Sequence, residues 1–398
     1  MRVLFVSPYI PSPVRVRPYQ WIRALARHGH RVRLVALQPP EDQWVTAPPA
    51  ADCCEQVTVF PLSRTRTLWN AAAAVSRDIP LQAAYSLHPA AERYIASEAR
   101  QCDVVHVEHL RGSLLAGRVQ DTPCVIDAVD SITSLFEQAA RQAPFWRQRL
   151  MARLDLGRTR RFEAGLSMRF ERTLVSSPRD ATVFTTLAHG QAARRVVALP
   201  NGVDLDYFHP LPSSPEPETV LFSGKISYHA NEAAVLELAH RIMPLVWRER
   251  PNAQLVIAGK DPSQAVSRLS GDPRITVTGF VEDLRPFFWS ATVVVAPLIY
   301  GTGIQNKVLE AMACGVPVVA SSAACAGIGA PPGRALLVGS GAQEIASHVV
   351  ALFRAPARRA ELAVAGRRYV QMQHDWHQLG RRLIDVYEDA QKEYRRCA

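Results

Sequence analysis

The chain has 398 residues, of which 48% are hydrophobic and 21% charged, and its formal net charge is +10. This length and composition fit two domains of roughly 150–200 residues each and exclude a disordered chain. No apolar run reaches the ~18–20 residues of a membrane span. The positive charge points to an anionic partner, whether nucleic acid, a membrane surface or a phosphorylated substrate. The seven cysteines are scattered with no C-x-x-C pair, and the opening MRVLFVSPYIPSPV lacks the apolar stretch of a secretion signal. The expectation is a cytosolic protein with reduced thiols.

Strand-like and helical runs alternate along the chain, as in parallel βαβ units. RVLFV (2–6) reads as a buried first strand, followed by the turn-rich SPYIPSPVRVRP. Pro18 suits the first position of a helix that carries Ile22, Leu25 and Ala26 on one face and stops at Gly29. RVRLVAL (31–37), DVVHV (103–107), CVI (124–126) and TLV (173–175) are further strands. A stretch crowded with Pro, Asp and Ser around the turn-forming Asn201-Gly202 reads as an interdomain linker, 200–218. The pattern then restarts with TVLF (219–222) and a helix capped by Asn231 that buries Val235, Leu238, Ala239 and Ile242. Strands near 254–259, 275–280 and 293–297 follow, then a helix from about Ile304 to Cys314 and the strand VPVVA (316–320). The predicted class is α/β, with two Rossmann-like domains at 1–199 and 219–374, and a C-terminal helix (375–398) that packs back on the first.

The chemistry concentrates in TGIQNKVLEAMACGVPVVAS (302–321). Thr302-Gly303 at a helix start offers backbone N–H groups and the helix dipole to an anion. Lys307 and Glu310, three residues apart, share a face. Phosphates near the cation with ribose hydroxyls on Glu310 would suit a nucleoside diphosphate; the alternative is a surface helix with an ion pair. Only four of 46 basic residues are lysines: Lys225, Lys260, Lys307 and Lys392. Where lysine persists, a compact ammonium is the natural requirement.

LEAMACGVPVVAS (309–321), PNGVDLDYFHP (200–210), SGK (223–225) and VTGFVEDLRPFF (277–288) resemble the retaining family-4 (group 1) glycosyltransferases of the GT-B fold. The likeness spans essentially the whole chain. It implies that the C-terminal domain binds a nucleotide sugar and the N-terminal domain the acceptor. Glu310 matches the second glutamate of the family's E-x7-E motif, which holds the donor ribose. The first glutamate is replaced by Thr302, which puts sugar recognition in question. Lys225 matches the basic residue on the donor phosphates; the second such residue is absent near Ala230, and Lys307 is its candidate replacement. The resemblance thus implies donor contacts at Gly224, Lys225, Gly279, Phe280, Thr302, Gly303, Ile304, Lys307 and Glu310.

The N-terminal half departs from the family. In place of a Gly-Gly loop it has Ser12 to Arg17, where Arg15 and Arg17 either bind phosphate or are solvated. After the strand at 124–126 comes IDAVDS, with Val129 where many relatives carry histidine and Asp130 in the position of the paired aspartate. Asp130 is read as an acceptor-side group or as a helix cap, and Asp127 is a second acceptor-side candidate. His106, Glu108 and His109 lie at a strand's C-terminal end, where parallel sheets place ligands. Asp204-Leu205-Asp206 is a formal D-x-D, but it sits in the linker and is not read as a metal site. The basic stretch 145–172 sets Leu150, Met151 and Leu154 on one helical face, extended by Trp146: a membrane-surface helix or a core helix.

The reading is a retaining, metal-independent transferase, with Glu310, Lys225, Lys307 and Asp130 as its chemical groups. The donor is a nucleotide sugar, UDP- or GDP-linked, and the acceptor a sugar, lipid-linked or small molecule. Neither cofactor nor metal is expected. The protein is placed in the cytoplasm, with a peripheral contact to the inner face of the membrane. Nucleic acid is disfavoured, since no basic–aromatic module appears. A GT-B-fold sugar-nucleotide epimerase and a weakly catalytic nucleotide-sugar-binding protein are the alternatives.

Overall fold

Near-continuous Val, Ile and Leu runs make strands that can be buried on both faces, as parallel sheets require. The computed structural model describes residues 1–42, 48–143, 146–188, 190–211 and 218–397. Phe145 of the basic stretch and 212–217 of the expected linker lie outside the described residues.

Two units form. The first comprises Met1–Glu137, Met151–Pro200 and Trp376–Ala398; the second comprises Gln138–Leu150 and Asn201–Asp375. In the first, β1 (Arg2–Ser7), β2 (Arg31–Gln38), β3 (Gln56–Pro61), β4 (Val104–Glu108), β5 (Cys124–Val129), β6 (Arg172–Val175) and β7 (Val196–Ala198) pair in parallel. Their order is β3-β2-β1-β4-β5-β6-β7. In the second, β8 (Thr219–Ser223), β9 (Gln254–Ala258), β10 (Ile275–Gly279), β11 (Val293–Ala296), β12 (Val318–Ser321) and β13 (Leu337–Gly339) run β10-β9-β8-β11-β12-β13, again all parallel. Both are doubly wound α/β sheets whose strand order reverses once, between β1 and β4 and between β8 and β11. The C-terminal ends of strands at such a reversal are where these sheets bind ligands.

Local chemistry sets the element ends. The first helix begins at Val16, two residues before Pro18, and Gly29 closes it at φ 77° with its N–H on the Ala26 carbonyl. The helix predicted from Ile304 starts instead at Asn306 and runs to Ala313. Gly303 at φ 65° keeps the preceding loop out of helical geometry. Ser131, not Asp130, caps the helix Ile132–Gln142, its Oγ accepting from Ser134 N at 3.1 Å.

The C-terminal helix Trp376–Cys397 belongs to the first unit's core. Trp376, Leu379, Leu383 and Tyr387 cluster with Trp21, Ile22 and Leu25. A Cβ at Gly380 would stand 2.9 Å from Ala24 Cβ, so the helices cross almost backbone to backbone there. The described part of the expected linker is not a free strap. Its residues 201–210 are fastened within the second unit by Arg367, which donates to the carbonyls of Phe208 and Leu205, and by Trp289 Nε1 on the His209 carbonyl. Asp204 of the D-x-D closes a turn there, accepting from Tyr207 N at 3.1 Å.

Candidate active site

At the reversal point of the second sheet, β8 ends in Ser223-Gly224-Lys225. Gly224 (φ 140°) and Gly259 (φ 154°) face one another across the ends of β8 and β9, and a Cβ on Gly259 would fall 1.7 Å from the Gly224 carbonyl oxygen. Only glycines allow that approach. A Cβ on Gly224 would press on Lys307 Cε at 3.2 Å and on Asn231 Nδ2 at 3.3 Å. The loop after β8 therefore lies directly against the helix Asn306–Ala313.

Lys307 is buried in that helix, 6% exposed. Its Nζ donates to Asn231 Oδ1 at 2.7 Å and lies 4.8 Å from the centre of the Phe222 ring. Burial lowers its pKa to about 8, opposed by the charge of Glu310. Glu310, one turn on, is half-buried, and burial raises its pKa to about 7 against the pull of Lys307. Two groups whose pKa values ordinarily lie far apart are thus drawn together near neutrality, a mark of functional sites. Lys225 is exposed at the rim, and Ile304 is tucked into the core cluster. Phe280 is 67% exposed, directly after Gly279 at φ 69°. Thr302 and Gly303 lie in the loop that leads from β11 to the helix.

Three residues here escape the sequence reading. Asn231 was expected to cap its helix, yet the helix starts at His229 and Asn231 is its third residue. Its Nδ2 donates to the Lys225 carbonyl at 2.8 Å while its Oδ1 accepts from Lys307. His229 Nδ1 and the Tyr300 hydroxyl share a 2.7 Å hydrogen bond with their rings stacked at 13°. Burial lowers the His229 pKa and raises that of Tyr300 to about 12. The placement of Asn231 just after a short loop was the available signal, since an amide at the third helical position can reach back into that loop.

The reversal point of the first sheet is differently furnished. Arg17, expected to be a phosphate ligand or solvated, is not solvated: it is 4% exposed, with Nε on Asp127 Oδ2 at 2.7 Å and Nη2 on the Leu199 carbonyl. Asp127 further accepts from Trp21 Nε1 at 3.0 Å and Val129 N at 3.2 Å. Arg15 pairs with Asp42 and lies over the Tyr9 ring at 4.3 Å. His106 and Glu108 are fully buried. Burial lowers the His106 pKa to about 4, so its imidazole is neutral near pH 7, and burial beside Asp127 raises that of Glu108. Tyr387 of the C-terminal helix meets His106 Nδ1 at 2.8 Å, and Tyr9 donates to Glu108 at 3.2 Å. His109 follows at φ 61°.

Asp130, half-buried, sits in a loop braced by buried carboxylates. Glu163 accepts from Ser131 Oγ, Ile132 N and Thr133 N at 3.0, 2.7 and 3.2 Å, and Asp180 accepts from Ser131 N at 3.2 Å. Glu163 lies on the helix Trp146–Arg169, whose polarity is inverted. Asp155, Thr159 and Glu163 face inward, while Trp146, Leu150, Met151 and Leu154 are 47–62% exposed beside Arg147, Arg149 and Arg153. Leu68 and Trp69, on the helix Arg64–Ser76, are exposed as well. Among the described residues no helix is long and apolar enough to cross a membrane.

The profile of the family described as Glycosyl transferases group 1 matches residues 217–355, the segment that holds Lys225, Asn231, Lys307 and Glu310. A Corynebacterium glutamicum protein, the GDP-mannose-dependent monoacylated alpha-(1-6)-phosphatidylinositol monomannoside mannosyltransferase, is 29% identical over 216 residues. That alignment covers 48% of this chain and spans about half, 55%, of the relative. The phosphatidyl-myo-inositol mannosyltransferase of Mycobacterium leprae is 25% identical over 98% of this chain and 96% of its own length. Among solved structures, Anabaena HepE in complex with UDP and glucose superposes with a TM-score of 0.70 at 15% identity, covering 98% of this chain and 99% of that one. The sucrose-phosphate synthase of Thermosynechococcus elongatus does so at 0.72 and 18% identity, over 98% of each chain. These likenesses show the fold.

Proposed function

Because the chain is a group 1 glycosyltransferase of the GT-B fold, we propose that it moves a sugar from a UDP- or GDP-sugar to an acceptor hydroxyl with retained configuration and without a metal ion. The observation that carries this reading is the Lys307–Glu310 helix packed on Gly224 at the strand-order reversal. Breaking the anomeric bond releases a nucleoside diphosphate, and its developing charge must be stabilised. Lys307, held as a buried cation, and Lys225 at the rim supply positive charge to the diphosphate. Glu310, once ionised, accepts from the ribose hydroxyls. Lysines in this role make a divalent ion unnecessary. Asp130 is proposed as an acceptor-side group on its braced loop.

For the acceptor we favour a lipid-linked hydroxyl at the cytosolic face of an anionic membrane. The exposed Leu150, Met151 and Leu154 among arginines support this, because an apolar and basic helix face binds reversibly at such an interface. The relatives' own names refer to phosphatidylinositol-based acceptors.

The test is thermal unfolding with UDP, GDP, ADP and their sugars in excess EDTA, followed by incubation of the stabilising sugar nucleotide with phosphatidylinositol vesicles. A ligand at 100 times its Kd adds about 2.7 kcal/mol to the native state. A stabilising nucleotide and an α-linked product from an α-linked donor are expected. Stabilisation that needs Mg²⁺ or Mn²⁺ overturns metal independence, and release of an epimerised sugar nucleotide supports the epimerase instead.

A further inference from the structure

Resting on the donor reading above, we infer that Asn231 is a positioning residue of the diphosphate site, joining the two phosphate-binding lysines into one frame. The geometry is specific. One side-chain amide uses its donor on the Lys225 backbone carbonyl at 2.8 Å and its acceptor on Lys307 Nζ at 2.7 Å. It is 7% exposed, and a Cβ on Gly224 would stand 3.3 Å from its Nδ2, so the glycine leaves the space this amide occupies. A neutral acceptor is what such a position requires. An amide oxygen orients an ammonium and offsets part of its desolvation while leaving its net charge for an incoming anion, whereas a carboxylate would cancel that charge. Among the described residues Lys307 makes no ion pair. Glu310, on its own helix, is the charged group that acts on it; Asn231 from the helix His229–Glu237 and the Phe222 ring from β8 face it.

Because its side chain is hydrogen-bonded to both lysines, its removal should act through them and be felt by the diphosphate alone. The test is titration of the full chain with UDP, GDP, ADP and the matching monophosphates. Asn231→Ala should weaken the preferred diphosphate about 10-fold or more, the scale of a lost hydrogen bond to a charged group, and leave the monophosphate unchanged. Asn231→Asp keeps the shape and the acceptor for Lys307 but loses the donor to the Lys225 carbonyl and adds a negative charge, and should lose diphosphate affinity at least as strongly.

A pH series supplies a readout that loosened packing would not move. Diphosphate affinity in the wild type should fall as pH rises through about 8, where Lys307 loses its proton. Without the Asn231 acceptor the ammonium is less stable, and the fall should move to lower pH. Equal diphosphate affinity in wild type and both variants overturns the inference and leaves the donor reading intact. Equal losses for mono- and diphosphate, with an unmoved pH profile, overturn it too. If the wild type binds none of the three diphosphates, the donor reading falls and the inference with it.

Discussion

At the reversal point of the first sheet, Arg17 and Asp127 sit 2.7 Å apart and cancel one another, with Trp21 and Val129 completing the carboxylate's partners. At the equivalent point of the second sheet, Lys307 is held by a neutral amide, and Glu310 stands one turn further along the same helix. The topology is the same, and the placement of countercharge differs. A buried charge matched by its opposite is committed to structure, because its field ends inside the unit. A buried charge held by a dipole keeps its field, which an anionic ligand can then complete. Burial in parallel sheets therefore does not mark a site by itself; the nature of the partner does.

The largest effect that would sharpen this contrast is loss of structure on one side only. Arg17→Ala leaves Asp127 buried and uncompensated, which costs about 3–5 kcal/mol. Urea unfolding should show that loss, while nucleotide affinity of the still-folded protein stays at the wild-type value. A drop in nucleotide affinity without a loss of stability would make Arg17 a ligand group after all and break the comparison. The next largest lies in the second unit. Glu310→Ala removes a charge-assisted hydrogen bond of about 1.5–3 kcal/mol and should reduce turnover at least ~10-fold. Its thermal unfolding should change little, since burial already holds this carboxyl near a pKa of about 7. Unchanged kinetics in a folded variant would remove Glu310 from the donor site.

The smallest effect concerns where the first unit meets an outside partner, given that its strand ends are internally paired. If that partner is a membrane, the protein should co-sediment with anionic vesicles at low salt and be released at high salt, each arginine near the surface contributing roughly 1 kcal/mol. Replacing Met151 and Leu154 with serine should lower the bound fraction several-fold. Vesicles of neutral lipid binding equally well would count against the electrostatic part of this reading.

Legibility from the sequence followed burial and length. Strands at the centre of each sheet, such as Val3–Val6 and Val293–Ala296, were visible as unbroken apolar runs. The three strands absent from the sequence reading are β3, β7 and β13, all sheet edges. β3 is only half-buried and ends in Pro61, while β7 and β13 have three residues each, too short to show a period. Lys307 and Glu310 could be seen to share a helix face from their spacing, whereas Lys225 was singled out by the resemblance to the family's motifs. Asn231 could not be singled out, because an amide at a helix start is commonly a cap and only the backbone shows which way it reaches. Arg17 failed for the opposite reason: in a chain so rich in arginine, nothing in the letter distinguishes a solvated side chain from an enclosed one.

The C-terminal helix has a consequence for how the protein is made. Tyr387 meets His106 across 281 residues of chain, and Trp376 packs edge-on against Trp21 at 4.7 Å. During synthesis, the first sheet emerges before the second unit but lacks the helix that covers Trp21 until Trp376–Cys397 has been made. The second unit, whose sheet and helices lie almost wholly within Asn201–Asp375, has all of these in hand before that point. On these grounds the second unit should complete its fold before the first. The half translated first must wait with an apolar face uncovered, and chaperone dependence should concentrate there.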